Sequence, residues 1–303
     1  QYLWPYFKND IDNGTITREF ALELVESFFV KANEINKLRS WPDSEYFPGY
    51  HLAENLAIGG QTADGHDAVN DLTYLVLNAT AEMGLTKPSV SLKWFEGTSD
   101  EFMHRALETV QAHRGGQPAL YSDPSVMRIL DNMGIAKEDQ FEWAPVGCIE
   151  ASIPGKWDFA AKGSWLNLAK VFEITLNNGT DPASGVTLLP GDGDLTTFPS
   201  TREIMEAYKK QLKYFMELQV IVEHISDEMH ILHDQNAFRS SLVHDCIERG
   251  KSLIEGGARY TADGGPTAGA VSVGDSLAAI EYALFDKKVL TAEQLIHAMQ
   301  TNI

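Results

Sequence analysis

The chain has 303 residues, enough for one large domain or two ordinary ones, and 44% of them are hydrophobic. Lys and Arg total 24 against 43 Asp and Glu, a net charge of -19. That balance argues against a surface for nucleic-acid phosphates or anionic lipid and predicts a soluble, cytoplasmic protein. No apolar run reaches the ~20 residues needed to span a bilayer. The chain opens on Gln1 without a basic-then-apolar leader, so its own N-terminus is expected to be missing.

In chain order, helices alternate with short apolar runs. TREFALELVESFFVKANEI (17–35) has helical spacing, and LAENLAIGG (52–60) reads as a strand closed by a glycine turn. HDAVNDLTYLVLNATAEM (66–83) reads as a helix capped by Asp64 or Asp67. SVSLKW (89–94) alternates like a strand, and Thr98 with Glu101 has capping-box spacing before a helix to His113. PALYSD (118–123) is a short strand, followed by a short helix to Gly134. Strands alternating with helices predict a parallel α/β arrangement, with chemistry gathered at the C-terminal ends of strands.

Further on, LNLAKVFEITLNNG (166–179) reads as a helix closed by Asn178-Gly179. Long helices are expected over 201–236 and 240–255, a glycine-rich loop and strand over 258–276, and a helix over 276–288. Thr291 and Gln294 have the spacing to box-cap the last helix. GDGD (191–194) and GGPTAG (264–269) match neither phosphate-loop pattern and read as turn glycines. His224, His230 and His233 share one helix with Asp227 and Asp234, without the HExxH pattern, and read as a solvated or interhelical face. There is no GxSxG nucleophile elbow.

The two cysteines differ in context. Cys246 falls near Leu242, Val243 and Ile247 at helical spacing and reads as a packed thiol. Cys148 lies in WAPVGCIEASIPGK (143–156), after a glycine that lets the backbone turn sharply. In an extended segment it projects to the same side as Glu150. By composition alone it is a core thiol, half of a disulfide, a metal ligand or a reactive sulfur. A neighbouring carboxylate disfavours the thiolate, which argues against ordinary Cys/His catalysis. It suits sulfur as a hydrogen-atom carrier beside a carboxylate that moves protons.

GCIE resembles the Gly-Cys-x-Glu loop of glycyl radical enzymes, the pyruvate formate-lyase-like superfamily. NEINKLRSWP (33–42), IGGQTADGHDAVNDLTYLVLNA (58–79), QPALYSD (117–123), KVFEITLNNGTDPASG (170–185), DCIERGKSLIEGGARY (245–260) and VGDSLAAIEYALFDKK (273–288) resemble family segments in the same order. The resemblance implies a ten-stranded α/β barrel of two antiparallel five-stranded halves, with surrounding helices and a cysteine finger loop near 145–156. Residues 1–303 would be its central portion. The family's N-terminal part and its RVxGY-type glycyl radical motif are not among these residues.

The same resemblance makes Cys148 the thiyl position and Glu150 the acid/base. Pyruvate formate-lyase has two adjacent cysteines where this chain has Gly147 and Cys148, so that activity is not expected. ITLNNGTDPASG resembles the wording of hydroxyproline-dehydratase-like members, which implies elimination of water from a small molecule. Ser164 and Trp165, and less directly Glu54 and Asn55, are candidate substrate contacts. No metal or directly bound cofactor is implied. The implied partners are a small-molecule substrate, an S-adenosylmethionine/iron-sulfur activating enzyme that installs the glycyl radical, and a second copy in a homodimer. Alternatives are decarboxylation of arylacetates, a C–N or C–S lyase, a truncated paralogue acting as a binding or assembly module, and a thiolate hydrolase.

Overall fold

Two βα crossovers organise residues 1–157, the first of two compact units; residues 158–303 form the second. The computed structural model describes residues 2–35, 40–46, 54–147, 149–158, 164–261 and 266–301. In the first unit, α1 (Trp4–Asp12) and α2 (Arg18–Glu34) precede the short α3 (Trp41–Tyr46). Thr17 caps α2 by accepting from the Phe20 amide. Strands β1 (Asn55–Gly59), β2 (Ser89–Trp94) and β3 (Ala119–Ser122) then form a parallel sheet in that order. Asn55 pairs with Ser89, and Ser91 with Ala119. Parallel neighbours need crossover connections, supplied by α4 (Asp71–Met83) and α5 (Asp100–His113).

The expected α/β class therefore holds, with local differences. β2 is buried on both faces from Val90 to Lys93 rather than alternating, because it is the central strand. The helix expected from His66 starts at Asp71. Asn70, not Asp64 or Asp67, caps it, through a reciprocal box with Thr73. Residues 61–67 are taken up by a turn closed by the Gln61–Asp67 bridge. Ser99 rather than Thr98 caps α5, since Thr98 Oγ1 accepts instead from the Phe95 amide. Phe29, Ile58, Leu77, Val90, Leu92 and Phe102 form the core where α2, α4 and α5 cover the sheet. After α6 (Asp123–Asn132) and α7 (Lys137–Gln140), β4 (Ala144–Val146) and β5 (Glu150–Ser152) form an antiparallel hairpin.

The second unit is mainly helical: α8 (Leu168–Leu176), α9 (Thr201–His233), α10 (Ala237–Ser241), α11 (Cys246–Arg249), α12 (Ala270–Ile280) and α13 (Ala292–Thr301). π-turns over 253–257 and 281–286 interrupt it. Val171, Phe172, Leu195, Ile204, Tyr208 and Val273 pack together, with Phe172 and Tyr208 rings edge-on at 5.5 Å. Leu166–Asn167 pairs in parallel with Thr267–Ala268. Thr291 and Gln294 form the expected reciprocal cap. The continuous helix expected over 240–255 is broken. Asp245 and Gly250, at φ +76° and +61°, leave the helical region on either side of α11. Cys246 is buried and packs near Val243 as expected, together with Leu253 and Ala258, while Leu242 and Ile247 face solvent. No helix of the described residues is long and apolar enough to cross a membrane.

Candidate functional site

The segment 143–152 is built as a hairpin held at its tip, its entry and its feet. Val146 pairs with Glu150 across it, so the turn comprises residues 147–149. Cys148 itself lies outside the described residues; its two neighbours do not. Gly147 sits at φ +63°, which suits glycine, and a Cβ there would lie 2.8 Å from Glu150 Oε2. The turn thus needs a residue without a side chain for the carboxylate to fold back over it. Glu150 Oε2 accepts from the Ile149 amide at 3.0 Å. The Glu150 carboxylate thus lies over Gly147 while accepting from the Ile149 amide.

Asn55 secures the tip. Its Nδ2 donates to the Gly147 carbonyl at 2.9 Å, and its Oδ1 accepts from Ser91 Oγ at 3.4 Å. Asn55 is the first residue of β1, so the GCIE turn lies against the N-terminal end of this strand. The turn directly follows the C-terminal end of Ala144–Val146, as the sequence predicts. It reaches the opposite end of the parallel sheet because residues 143–147 run back along that sheet, about 13 Å at strand rise.

The entry to the hairpin is fixed at the other end of the sheet. Lys93, near the C-terminal end of β2, has a side chain only 6% exposed. Its Nζ donates to the carbonyls of Phe141 and Trp143 at 3.0 and 3.1 Å. It lies 3.5 Å from Asp123 Oδ1 and 4.9 Å from the Trp143 ring centre. Burial pulls the Lys93 ammonium below its ordinary pKa, and the Asp123 charge opposes that. Asp123 is fully buried, accepting from Trp143 Nε1 on Oδ1 and from the Gln61 amide on Oδ2 at 3.3 Å. Gly60 makes room for this group: a Cβ there would lie 2.9 Å from Lys93 Cε and 3.3 Å from Asp123 Oδ2.

The two feet are also joined. Lys156, just past β5, reaches Asp139 and Glu142 at 2.5 Å each. Burial alone would lower the Lys156 pKa, but these two carboxylates outweigh it and hold it above the ordinary value.

The remaining candidates have defined places. Glu54 pairs with Lys87 at 3.3 Å, and Lys87 Nζ also donates to the Ile35 carbonyl at 2.6 Å. Ser164 belongs to the second unit, where Gln219 Nε2 donates to its carbonyl at 2.6 Å. Glu223 accepts from its amide at 3.2 Å and its hydroxyl at 3.4 Å. Gln219 and Glu223, at i and i+4 on α9, thus grip one residue. Trp165 is 65% exposed. His230 Nδ1 bonds the Ser226 carbonyl, and no group of three or more metal-ligating side chains occurs among the described residues. A cavity of about 580 Å³ lined by Phe172, Leu176, Val273, Ile280, Leu295 and Met299 lies in the second unit, and none of the candidate residues lines it.

Lys93, Asp123 and Trp143 are not singled out by sequence reasoning. In the alternating SVSLKW the lysine falls on the polar side with Ser89 and Ser91, and only the central place of its strand requires it to be buried with a partner.

Comparison with known proteins places this geometry in context. Residues 1–303 match the pyruvate formate lyase-like family. The chain is 34% identical to the "Probable dehydratase YbiW" of Escherichia coli K12, over 99% of this chain and 38% of that protein. It is 33% identical to the trans-4-hydroxy-L-proline dehydratase of Clostridioides difficile, over 100% of this chain and 38% of that one. A solved Roseburia inulinivorans structure concerned with 1,2-propanediol dehydration superposes with a TM-score of 0.90 at 36% identity, over 100% of this chain and 38% of that one. The chain therefore spans about two fifths of the length of these relatives.

Proposed function

The chain belongs to the pyruvate formate lyase-like family, and on that footing we propose that it is part of a glycyl radical lyase that eliminates water from a small hydroxylated molecule. Its strands are part of a ten-stranded barrel of two antiparallel five-stranded halves, completed by the rest of the protein. The observation that carries the reading is the GCIE turn, in which Gly147 leaves room for the Glu150 carboxylate to close over the peptides flanking Cys148. The dehydratases among its relatives favour water as the leaving group.

A glycyl radical carried elsewhere in the protein, and installed by an S-adenosylmethionine/iron-sulfur activating enzyme, supplies the hydrogen-atom acceptor that converts the Cys148 thiol to a thiyl. Thiyl Cys148 takes a hydrogen atom from substrate carbon, leaving a carbon radical and an S–H bond. Glu150 takes a proton from the heteroatom on that carbon and passes it to the neighbouring hydroxyl, which leaves as water. The product radical regains a hydrogen atom from the thiol, restoring the thiyl. Asn55 holds the Gly147 carbonyl during the cycle. Glu54, Ser164 and Trp165 are the further candidates for contact with substrate. The working protein is a cytoplasmic homodimer.

The test uses full-length protein, anaerobic and activated. Electron paramagnetic resonance detects a glycyl radical, Cys148→Ala keeps the radical and abolishes turnover, and Glu150→Gln lowers kcat by about 10²- to 10⁴-fold. Undiminished turnover in Cys148→Ala overturns the reading.

A further inference from the structure

The buried pair Lys93–Asp123 has no part in the chemistry above, yet it touches the chain at the point where the hairpin begins. We propose that Lys93 and Asp123 are positioning residues that set the entry of the β4–β5 hairpin, and so the placement of its GCIE turn. The inference rests on the proposed role of that turn.

The contacts are specific to position rather than to bulk. An ammonium has three N–H donors. Those of Lys93 have three acceptors within reach: the carbonyls of residues 141 and 143 and the Asp123 carboxylate. Trp143 is held on both its polar groups, the carbonyl by Lys93 and Nε1 by Asp123, with Lys93 Nζ above its ring. The next residue is Ala144, the first of β4. Asp123 in turn is fixed from the other side by the Gln61 amide, just after the Gly59-Gly60 turn.

Groups at or just past the C-terminal ends of all three parallel strands therefore meet in one cluster, which holds the 141 and 143 carbonyls through Lys93 and the Trp143 indole through Asp123. β1 contributes the amide of Gln61, β2 contributes Lys93, and β3 leads directly into Asp123. Desolvating two charges is a poor route to stability, since a packed apolar pair of equal volume does as well or better. What an apolar pair cannot do is fix two consecutive-but-one carbonyls and an indole N–H. With Asn55 on the Gly147 carbonyl, both ends of 143–147 are tied to the same rigid sheet.

Full-length protein carrying Lys93→Met or Asp123→Asn tests this by two independent readouts. Amide hydrogen exchange over 144–152 accelerates about 10-fold or more, while exchange in α4 and α5 changes little. In activated enzyme the glycyl radical signal persists, and kcat falls about 10- to 100-fold with KM within about 3-fold, as displacement by an ångström predicts. Lys93→Arg does not restore kcat, because a planar fork cannot take the place of three tetrahedral donors. Hairpin exchange and kcat within about 2-fold of wild type in both variants overturn the proposal, since the pair would then place nothing. So does uniform acceleration across the unit or loss of fold in both variants, which marks a purely structural ion pair. Absence of turnover in wild type counts against the dehydratase reading alone, and the exchange readout still decides the positioning role.

Discussion

Asn55 Nδ2 donates to the Gly147 carbonyl at 2.9 Å, joining residues 92 positions apart. This bond ties the first residue of a sheet strand to the peptide that leads into Cys148. Replacing the donor by an acceptor turns attraction into repulsion at an otherwise unchanged shape. Asn55→Asp in the full-length protein lowers kcat by about 10-fold or more, while stability falls by about 1 kcal/mol, the usual value of one such bond. Turnover unaltered alongside a clear loss of stability in urea would mean that the bond serves folding only.

Gly147 is constrained twice, by its positive φ and by the Glu150 carboxylate in the space a Cβ would fill. Gly147→Ala costs about 1–2 kcal/mol from the left-handed backbone alone. The added methyl displaces Glu150 Oε2 from the Ile149 amide. The expected signature is a lowered urea midpoint together with a kcat loss that resembles that of Glu150→Gln. A variant with wild-type kcat would detach the carboxylate's fold-back from its catalytic use.

Much of the first unit could be read from the sequence because local signals and burial agree there. The 2.0 and 3.6 periods place β1, α4, β2, α5 and β3 within a few residues of their observed ends. Misplaced caps come from competition among adjacent polar residues: Thr98 and Asp67 find other backbone partners, leaving Ser99 and Asn70 to cap. The fracture of 240–255 depends on the positive φ of Asp245, which nothing in its periodicity announces. At the site, the composition of GCIE marks the turn, but its clamps come from residues about 20 to 90 positions away. Lys93 alternates plausibly as a surface residue until the sheet order makes β2 central. That order is a tertiary property, so the lysine's burial and its carbonyl partners could not be read locally.

Ser164 combines a substrate-contact expectation with a firm grip from α9. Its carbonyl bond from Gln219 is short at 2.6 Å and its amide bond to Glu223 is 3.2 Å, whereas its hydroxyl bond to Glu223 is the longest at 3.4 Å. Removing the hydroxyl therefore leaves the grip in place. Ser164→Ala is expected to change stability by less than about 0.5 kcal/mol, as for a weak, partly exposed contact. If the hydroxyl meets substrate, KM rises by several-fold in the same variant. Glu223→Ala, which removes two bonds at once, is expected to lower the melting temperature as well. A Ser164→Ala enzyme with unchanged KM and kcat would assign the residue to the grip alone.

Asp181 gives the second unit a defined acid sensitivity. Its Oδ1 lies 2.6 Å from Lys170 Nζ, and its carboxylate accepts from Ser184 Oγ at 2.6 Å and from the amides of Ala183 and Ser184. The Lys170 hydrogen bond, then that of Ser184, hold its pKa well below the ordinary carboxylate value of 3.8. A depressed folded pKa means that the unfolded chain binds the proton more readily. The stabilisation is therefore complete above the unfolded value near 3.8 and fades as pH falls below it toward the folded value. The same contact raises Lys170 above 10.5, so the pair persists through neutral and mildly alkaline pH. Urea unfolding of wild type and Asp181→Asn is expected to differ most at neutral pH. The two curves converge as the solution is acidified below pH 4 or so. Curves that stay parallel from neutral to acid pH would show that the variant's loss comes from the loop's hydrogen bonds rather than from the charge.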